Sequence, residues 1–250
     1  MVKIQVYSGI YDKDKKVKYL NPDTGLKFPA RIVFLGSTGC GKSNIIKNMI
    51  FNNKGFGLGK YFDEIYIFIG NNDDYYWMKR KIKQRNMKHV KLFKHYNDEM
   101  MTQLWDEIQN DSDDEEDEED KMNQEPNRIL FVLDDCVLEG MSKRNSSKTI
   151  DEIYIKGRHY GCSTIVSTQK ATLLPPNLRA NNISHLLVFY PMSEIELSKV
   201  WEENVNSIGK NDFLELFKKH CKKKYDFLVI DKNNPVHPFR NSKFEIININ

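Results

Sequence analysis

Eight residues carry the most explicit chemistry in this chain: Gly36-Ser37-Thr38-Gly39-Cys40-Gly41-Lys42-Ser43, a G-x-x-x-x-G-K-S loop. Glycines at 36, 39 and 41 allow backbone conformations that a Cβ would forbid, so successive N–H groups can converge on phosphate oxygens. Lys42 supplies a mobile ammonium for β- and γ-phosphates, and Ser43 a hydroxyl for Mg²⁺. A second group lies at Asp134-Asp135, where two adjacent carboxylates could divide the work of a hydrolase: one at the metal, one polarising the attacking water. A third is Gln169, an amide able to sense a γ-phosphate and its water. Arg158 is a candidate for stabilising transition-state charge in a neighbouring subunit's site.

These groups need elements to hold them. Apolar residues Ile32 to Leu35 precede the loop and a helix-compatible stretch, Asn44 to Phe51, follows it, the strand–turn–helix context that a phosphate loop requires. Asp134 ends the buried strand expected from Arg128 to Leu133, and Gln169 ends a strand over 163–168. Further strands are expected at 63–69, 90–93, 183–190, 227–230 and 244–249. Helices are expected at 74–88, 98–109, 149–160, 193–205 and 212–223. Alternating strands and helices predict an α/β fold with a mostly parallel sheet and helices on both faces.

The chain has 250 residues, 40% hydrophobic and 29% charged, enough for one sizeable core. Residues 1–30 read as an N-terminal arm or strand, and 31–250 as the domain that carries the motifs. No run approaches membrane-spanning length and no secretory leader is recognisable, so a soluble intracellular protein is expected. Four scattered cysteines (Cys40, Cys136, Cys162, Cys221) are expected as reduced and mostly buried thiols. The net charge of +3 conceals an asymmetry. Residues 111–120 hold nine acids, read as a disordered insertion; the remainder sets 38 Lys and Arg against 26 Asp and Glu. A body that basic favours a polyanionic partner. The candidate surfaces are Lys143, Arg144 and Lys148 in one polar loop, and the helix bearing Lys79, Arg80, Lys81, Lys83, Arg85 and Lys88.

Taken together, Gly-Ser-Thr-Gly-Cys-Gly-Lys-Ser, Leu-Asp-Asp, Gly-Arg-His-Tyr-Gly-Cys-Ser-Thr-Ile-Val-Ser-Thr-Gln and Leu-Arg-Ala-Asn-Asn-Ile resemble the FtsK–HerA superfamily of P-loop ATPases. Within it the chain is most similar to genome-packaging ATPases of large DNA viruses and virophages, over about Arg31 to Tyr190. The resemblance implies a RecA/FtsK-like P-loop NTPase fold with ATP and Mg²⁺ as cofactors. It also implies double-stranded DNA as a sequence-independent partner, self-association into a ring, and capsid vertex proteins as further partners. The setting would be the host cytoplasm at the site of viral assembly, or the virion. Carried over by residue, Gly36 to Ser43 hold the nucleotide, Ser43 and Asp134 the metal, Asp135 activates water, Gln169 senses the γ-phosphate, and Arg158 acts in trans. Arg179 is a second candidate for that trans contact. Bacterial members usually have Glu where this chain has Asp135, so the shorter side chain departs from the pattern. From the residues alone, a nucleotide-dependent switch and a small-molecule kinase remain as alternatives, although no Asn/Thr-Lys-x-Asp base-reading motif is present.

Overall fold

The computed structural model describes residues 24–53, 55–113, 127–136, 141–142, 145–179 and 182–249. The expected strands before residue 24, most of the acidic run, and Lys143 and Arg144 lie outside them. Strands β1 (Arg31–Leu35), β2 (Glu64–Ile69), β3 (Val90–Lys94), β4 (Ile129–Asp134), β7 (Cys162–Thr168), β8 (His185–Phe189), β9 (Phe227–Asp231) and β10 (Phe239–Arg240) form one sheet. Its order is β10-β9-β8-β1-β7-β4-β2-β3. The six strands from β8 to β3 run parallel; β9 is antiparallel to β8, and β10 to β9. The mostly parallel sheet is thus as the alternation of motifs required. A two-residue hairpin, β5 (Met141–Ser142) and β6 (Asn145–Ser146), occupies what reads in sequence as a plain polar loop.

Central strands are buried on both faces, which is why they read as nearly continuous apolar runs. Alternate residues feed two cores. Val33, Leu35, Phe131 and Leu133 face one layer, containing α4 (Asp98–Asp113), α5 (Lys148–Lys156), α6 (Pro176–Arg179), α7 (Glu194–Asn204) and α8 (Lys210–His220). Ile32, Phe34, Leu130 and Val132 face the other, containing α1 (Lys42–Phe51), α2 (Leu58–Tyr61) and α3 (Asn72–Gln84). Helix α1 is fixed by Ile46, Met49 and Ile50, each fully buried. At roughly 1.5–3 kcal/mol per such side chain, that seam anchors the phosphate loop to the sheet.

Local signals set the helix ends. Asn71 accepts the N–H of Asp74, Ser147 that of Ile150 and Ser193 that of Glu196, so α3, α5 and α7 each begin on a side-chain cap. Asn86, in the left-handed region at φ 51°, follows the end of α3 at Gln84, short of the expected 88. Helix α4 runs on to Asp113, so the first three residues of the run expected to be disordered, two of them acids, are helical. The strand expected at 244–249 does not form. Phe244 takes φ 63°, and only an isolated bridge joins Ile246 to Arg240. Phe244 and Ile247 are the buried pair there, a spacing of three that a pleated strand cannot present on one face. Residues 24–30 do not stand apart: Leu26 and Ala30 are buried, and Ala30 exchanges hydrogen bonds with Ser163 and Thr164 on β7. All four cysteines are free and buried.

Candidate functional site

The site grows from three adjacent parallel strands, β1, β7 and β4, all ending at the same edge. Leu35 pairs with Thr168 and Leu133 with Val166. The phosphate loop leaving β1, Gln169 leaving β7 and Asp134-Asp135 leaving β4 are thereby brought side by side. Ligand sites of open α/β sheets form at this carboxyl edge of the strands.

Gly36 bonds back to β7 through its N–H and the Thr168 carbonyl at 3.1 Å. A methyl group at Gly36 would come within 2.7 Å of Phe189 Cβ, so the loop leaves the sheet where only glycine fits. Ser37, Thr38 and Gly39 are exposed while Cys40 turns inward. Burial pushes the Cys40 thiol up despite neighbouring Lys42, leaving it protonated and unreactive. Gly41, at φ 110°, is the turn into α1. Lys42 is almost wholly buried; its ammonium donates to the Gly36 carbonyl at 2.7 Å and the Ser37 carbonyl at 3.1 Å. The loop thus closes around its own cation.

Asp134 is 1% exposed. Burial raises its carboxyl above the ordinary value, opposed by hydrogen bonding from Ser167 and Ser43, while Asp74 and Asp135 raise it further by charge repulsion. Ser167 donates to Oδ1 at 2.6 Å, but Oδ2 is buried without a hydrogen-bond partner. An orphaned carboxylate oxygen near the Ser43 hydroxyl is the donor set that a hard divalent cation prefers, so these residues fit Mg²⁺. Asp135 is exposed, in the left-handed region at φ 58°, with its N–H held by Ser167 Oγ at 2.9 Å. Gln169, the residue that follows β7, is also exposed.

Arg158 is elsewhere. It lies in a 3₁₀ turn, Gly157–Tyr160, that precedes β7, and is exposed. Burial lowers the Arg31 guanidinium, and the charge of Arg158 lowers it further, which puts Arg158 near the start of β1. The seven residues of β7 separate it from Gln169, about 20 Å at ~3.3 Å per residue. It is therefore at the opposite edge of the sheet from its own chain's phosphate loop. Arg179 closes α6 and pairs with Glu203 of α7 at 3.5 Å, partly buried.

Two contributors escape a motif-based reading. Ser167 is one, although a buried hydroxyl inside the apolar run Ile165-Val166-Ser167 needs a partner, and that need was a usable signal. The other is Tyr225, whose ring lies against Gly41 from a loop 184 residues downstream; nothing local in the sequence announces it. Among the described residues, no helix is long and apolar enough to cross a membrane.

Comparison with known proteins bears on the fold and the family. The chain is 23% identical over 217 residues to uncharacterized protein 075L of Invertebrate iridescent virus 6, covering 82% of this chain and 71% of that protein. Among solved structures it resembles the genome packaging NTPase B204 from Sulfolobus turreted icosahedral virus 2 in complex with ATP-gammaS. That match has a TM-score of 0.59 at 19% identity and covers 86% of this chain and 98% of the other. EssC (ATPases 2 and 3) from Geobacillus thermodenitrificans matches with a TM-score of 0.54 at 17% identity, over 82% of this chain but 38% of EssC. At these identities the likeness is one of fold: that of the P-loop ATPases. The family model described as Poxvirus A32 protein matches residues 18–237, and the chain belongs to that family.

Proposed function

We propose that this protein hydrolyses ATP at the edge of β1, β7 and β4 and uses the energy to drive double-stranded DNA into a viral capsid. One observation carries the reading. Lys42, Ser43, Asp134, Asp135 and Gln169, scattered over 128 positions of sequence, meet at one end of three neighbouring strands. A switch or a small-molecule kinase needs the loop and the metal acid. The added amide and second acid suit a site that positions and activates water.

In this reading the backbone of Gly36 to Gly41 and the ammonium of Lys42 hold the triphosphate, Lys42 exchanging its bonds to loop carbonyls for phosphate oxygens. Ser43 and Asp134 would hold Mg²⁺, which when bound neutralises charge on the β- and γ-phosphates. Asp135 accepts a proton from the attacking water. Gln169 orients that water and registers the γ-phosphate. Arg158, at the opposite edge of the sheet from its own phosphate loop, would contribute to a neighbour's site, with the chains assembled as a closed ring. Arg179, tied to Glu203, is the weaker candidate for that role.

The DNA contact is sequence-independent. A groove between α1 and α3, lined by Lys47, Lys81, Arg85, Trp77, Asn44 and Asn48, offers cations and amides suited to phosphate oxygens. Capsid vertex proteins are the remaining partners in this account. The test is ATP turnover across a salt series, with and without double-stranded DNA, read together with oligomer size. Stimulation by DNA that fades with rising salt supports the motor. Turnover indifferent to DNA in assembled rings would contradict it.

A further inference from the structure

If the γ-phosphate lies beside Asp134, Asp135 and Gln169 on the β7–β4 side of the loop, the ribose and base must leave on the other side, toward β8 and β9. One side chain waits there. The loop before β9 brings Tyr225 against the phosphate loop, so that a methyl group at Gly41 would come within 2.9 Å of Tyr225 Cδ1. The Tyr225 side of the loop is open: the residue is 57% exposed, unusual for an aromatic packed on a functional turn. Its backbone sits at φ 80°, in the left-handed region, which strains a bulky residue.

The surrounding loop enforces that conformation. Asp226 Oδ2 accepts the N–H groups of Lys222 and Lys223 at 3.0 and 2.8 Å. The Asp226 N–H bonds the Lys223 carbonyl at 3.0 Å, and its own carbonyl accepts the N–H of Tyr190 at the end of β8 at 2.9 Å. Lys224 holds its ammonium 5.1 Å from the centre of the Tyr225 ring, adding positive charge at the same spot. A strained, over-determined and solvent-facing ring beside a phosphate loop is better explained by a ligand than by packing, since burial gains it little.

We infer that Tyr225 is the platform on which the nucleobase stacks, making the α8–β9 loop the base subsite. The inference rests on the nucleotide reading of the phosphate loop and adds the end of the ligand that the motif does not address. Stacking uses the face of the base and not its edge, so ATP and GTP are held alike by this contact.

The experiment compares ATP with inorganic tripolyphosphate, which has the phosphates and no base. Binding of both is measured on wild type, Tyr225→Ala, Tyr225→Phe and Lys42→Ala. Tyr225→Ala weakens ATP by about tenfold while leaving tripolyphosphate within about twofold, and Tyr225→Phe binds as wild type. Lys42→Ala weakens both ligands. Tyr225→Gly, free of the left-handed penalty, raises Tm while losing ATP affinity, a combination that a purely structural tyrosine would not give. Equal loss of ATP and tripolyphosphate in Tyr225→Ala would make the ring a support for the loop and overturn the inference. So would unchanged ATP affinity. Wild type binding neither ligand would instead bring down the nucleotide reading, and this inference with it.

Discussion

Ser167 donates its hydroxyl to Asp134 Oδ1 at 2.6 Å and with the same oxygen accepts the N–H of Asp135 at 2.9 Å. One side chain on β7 thus fixes both acids at the end of β4. A buried carboxylate with one satisfied oxygen and one free oxygen is held ready in a single orientation. Ser167→Ala removes the donor and leaves a buried acceptor unpaired, at a cost of about 1–3 kcal/mol. The expected outcome is a fall in kcat with a smaller change in KM, and Ser167→Thr restoring much of it. Steady-state kinetics with a Tm for each variant checks this.

Asp134 itself is held at the expense of stability. Its carboxyl is raised by burial, so the charged form costs the folded state stability. The native state binds the proton more tightly than the unfolded chain does. The penalty is therefore complete above the raised value and disappears as pH falls through it. Asp134→Asn keeps an acceptor for Ser167 without the charge. It should raise Tm by about 2–4 °C, roughly 1 kcal/mol in a domain of this size, while abolishing Mg²⁺-dependent turnover. Thermal unfolding in EDTA, beside an ATPase assay, measures both; a lowered Tm would contradict the argument.

How much of this was legible follows from which interactions are local. The phosphate loop announces itself because glycines, lysine and serine must be consecutive, and the strand ends at Asp134 and Gln169 because apolar runs stop there. Sheet order brings them together, and a mostly parallel sheet with right-handed crossovers leaves few alternatives. Tyr225 was invisible because its neighbour Gly41 is distant in sequence. Helix α2 is hard to read in the sequence because Gly55, Gly57 and Gly59 disfavour a helix, although Gly57, at φ 74°, starts it. The C-terminal apolar residues mimicked a strand in composition but not in period.

Gly41 is constrained twice, by φ 110° and by the Tyr225 ring. Gly41→Ala should lower Tm by several degrees and weaken ATP by tenfold or more, in line with about 1–3 kcal/mol of backbone strain. Calorimetry and a binding titration check this. Wild-type values for both would mean that the loop has more freedom than its geometry indicates.

Placement of Arg158 at the far edge of the sheet makes a prediction about mixtures. Arg158→Ala and Asp135→Ala should each be nearly inactive alone. Mixed in assembled oligomers they should recover activity, because some interfaces then combine an intact arginine with an intact acid. Absence of recovery in oligomers of confirmed size would remove Arg158 from the catalytic account.

His185 offers a pH test of the fold. Burial pushes its imidazole below the ordinary 6.5, partly opposed by Asp231, whose Oδ1 lies 3.4 Å from Nε2. It is neutral when folded and takes up a proton more readily when unfolded. Its contribution to stability is therefore present above 6.5 and declines as pH falls below that value. His185→Asn should flatten the fall of Tm as pH drops below 6.5. An unchanged slope would assign that fall to other groups.

The most direct test is the rate of ATP hydrolysis by the full chain with saturating double-stranded DNA, compared between wild type and Lys42→Ala. The account predicts DNA-stimulated turnover in wild type and a loss of at least about 100-fold in the variant. A Lys42→Ala protein that still hydrolyses ATP at the wild-type rate would contradict it.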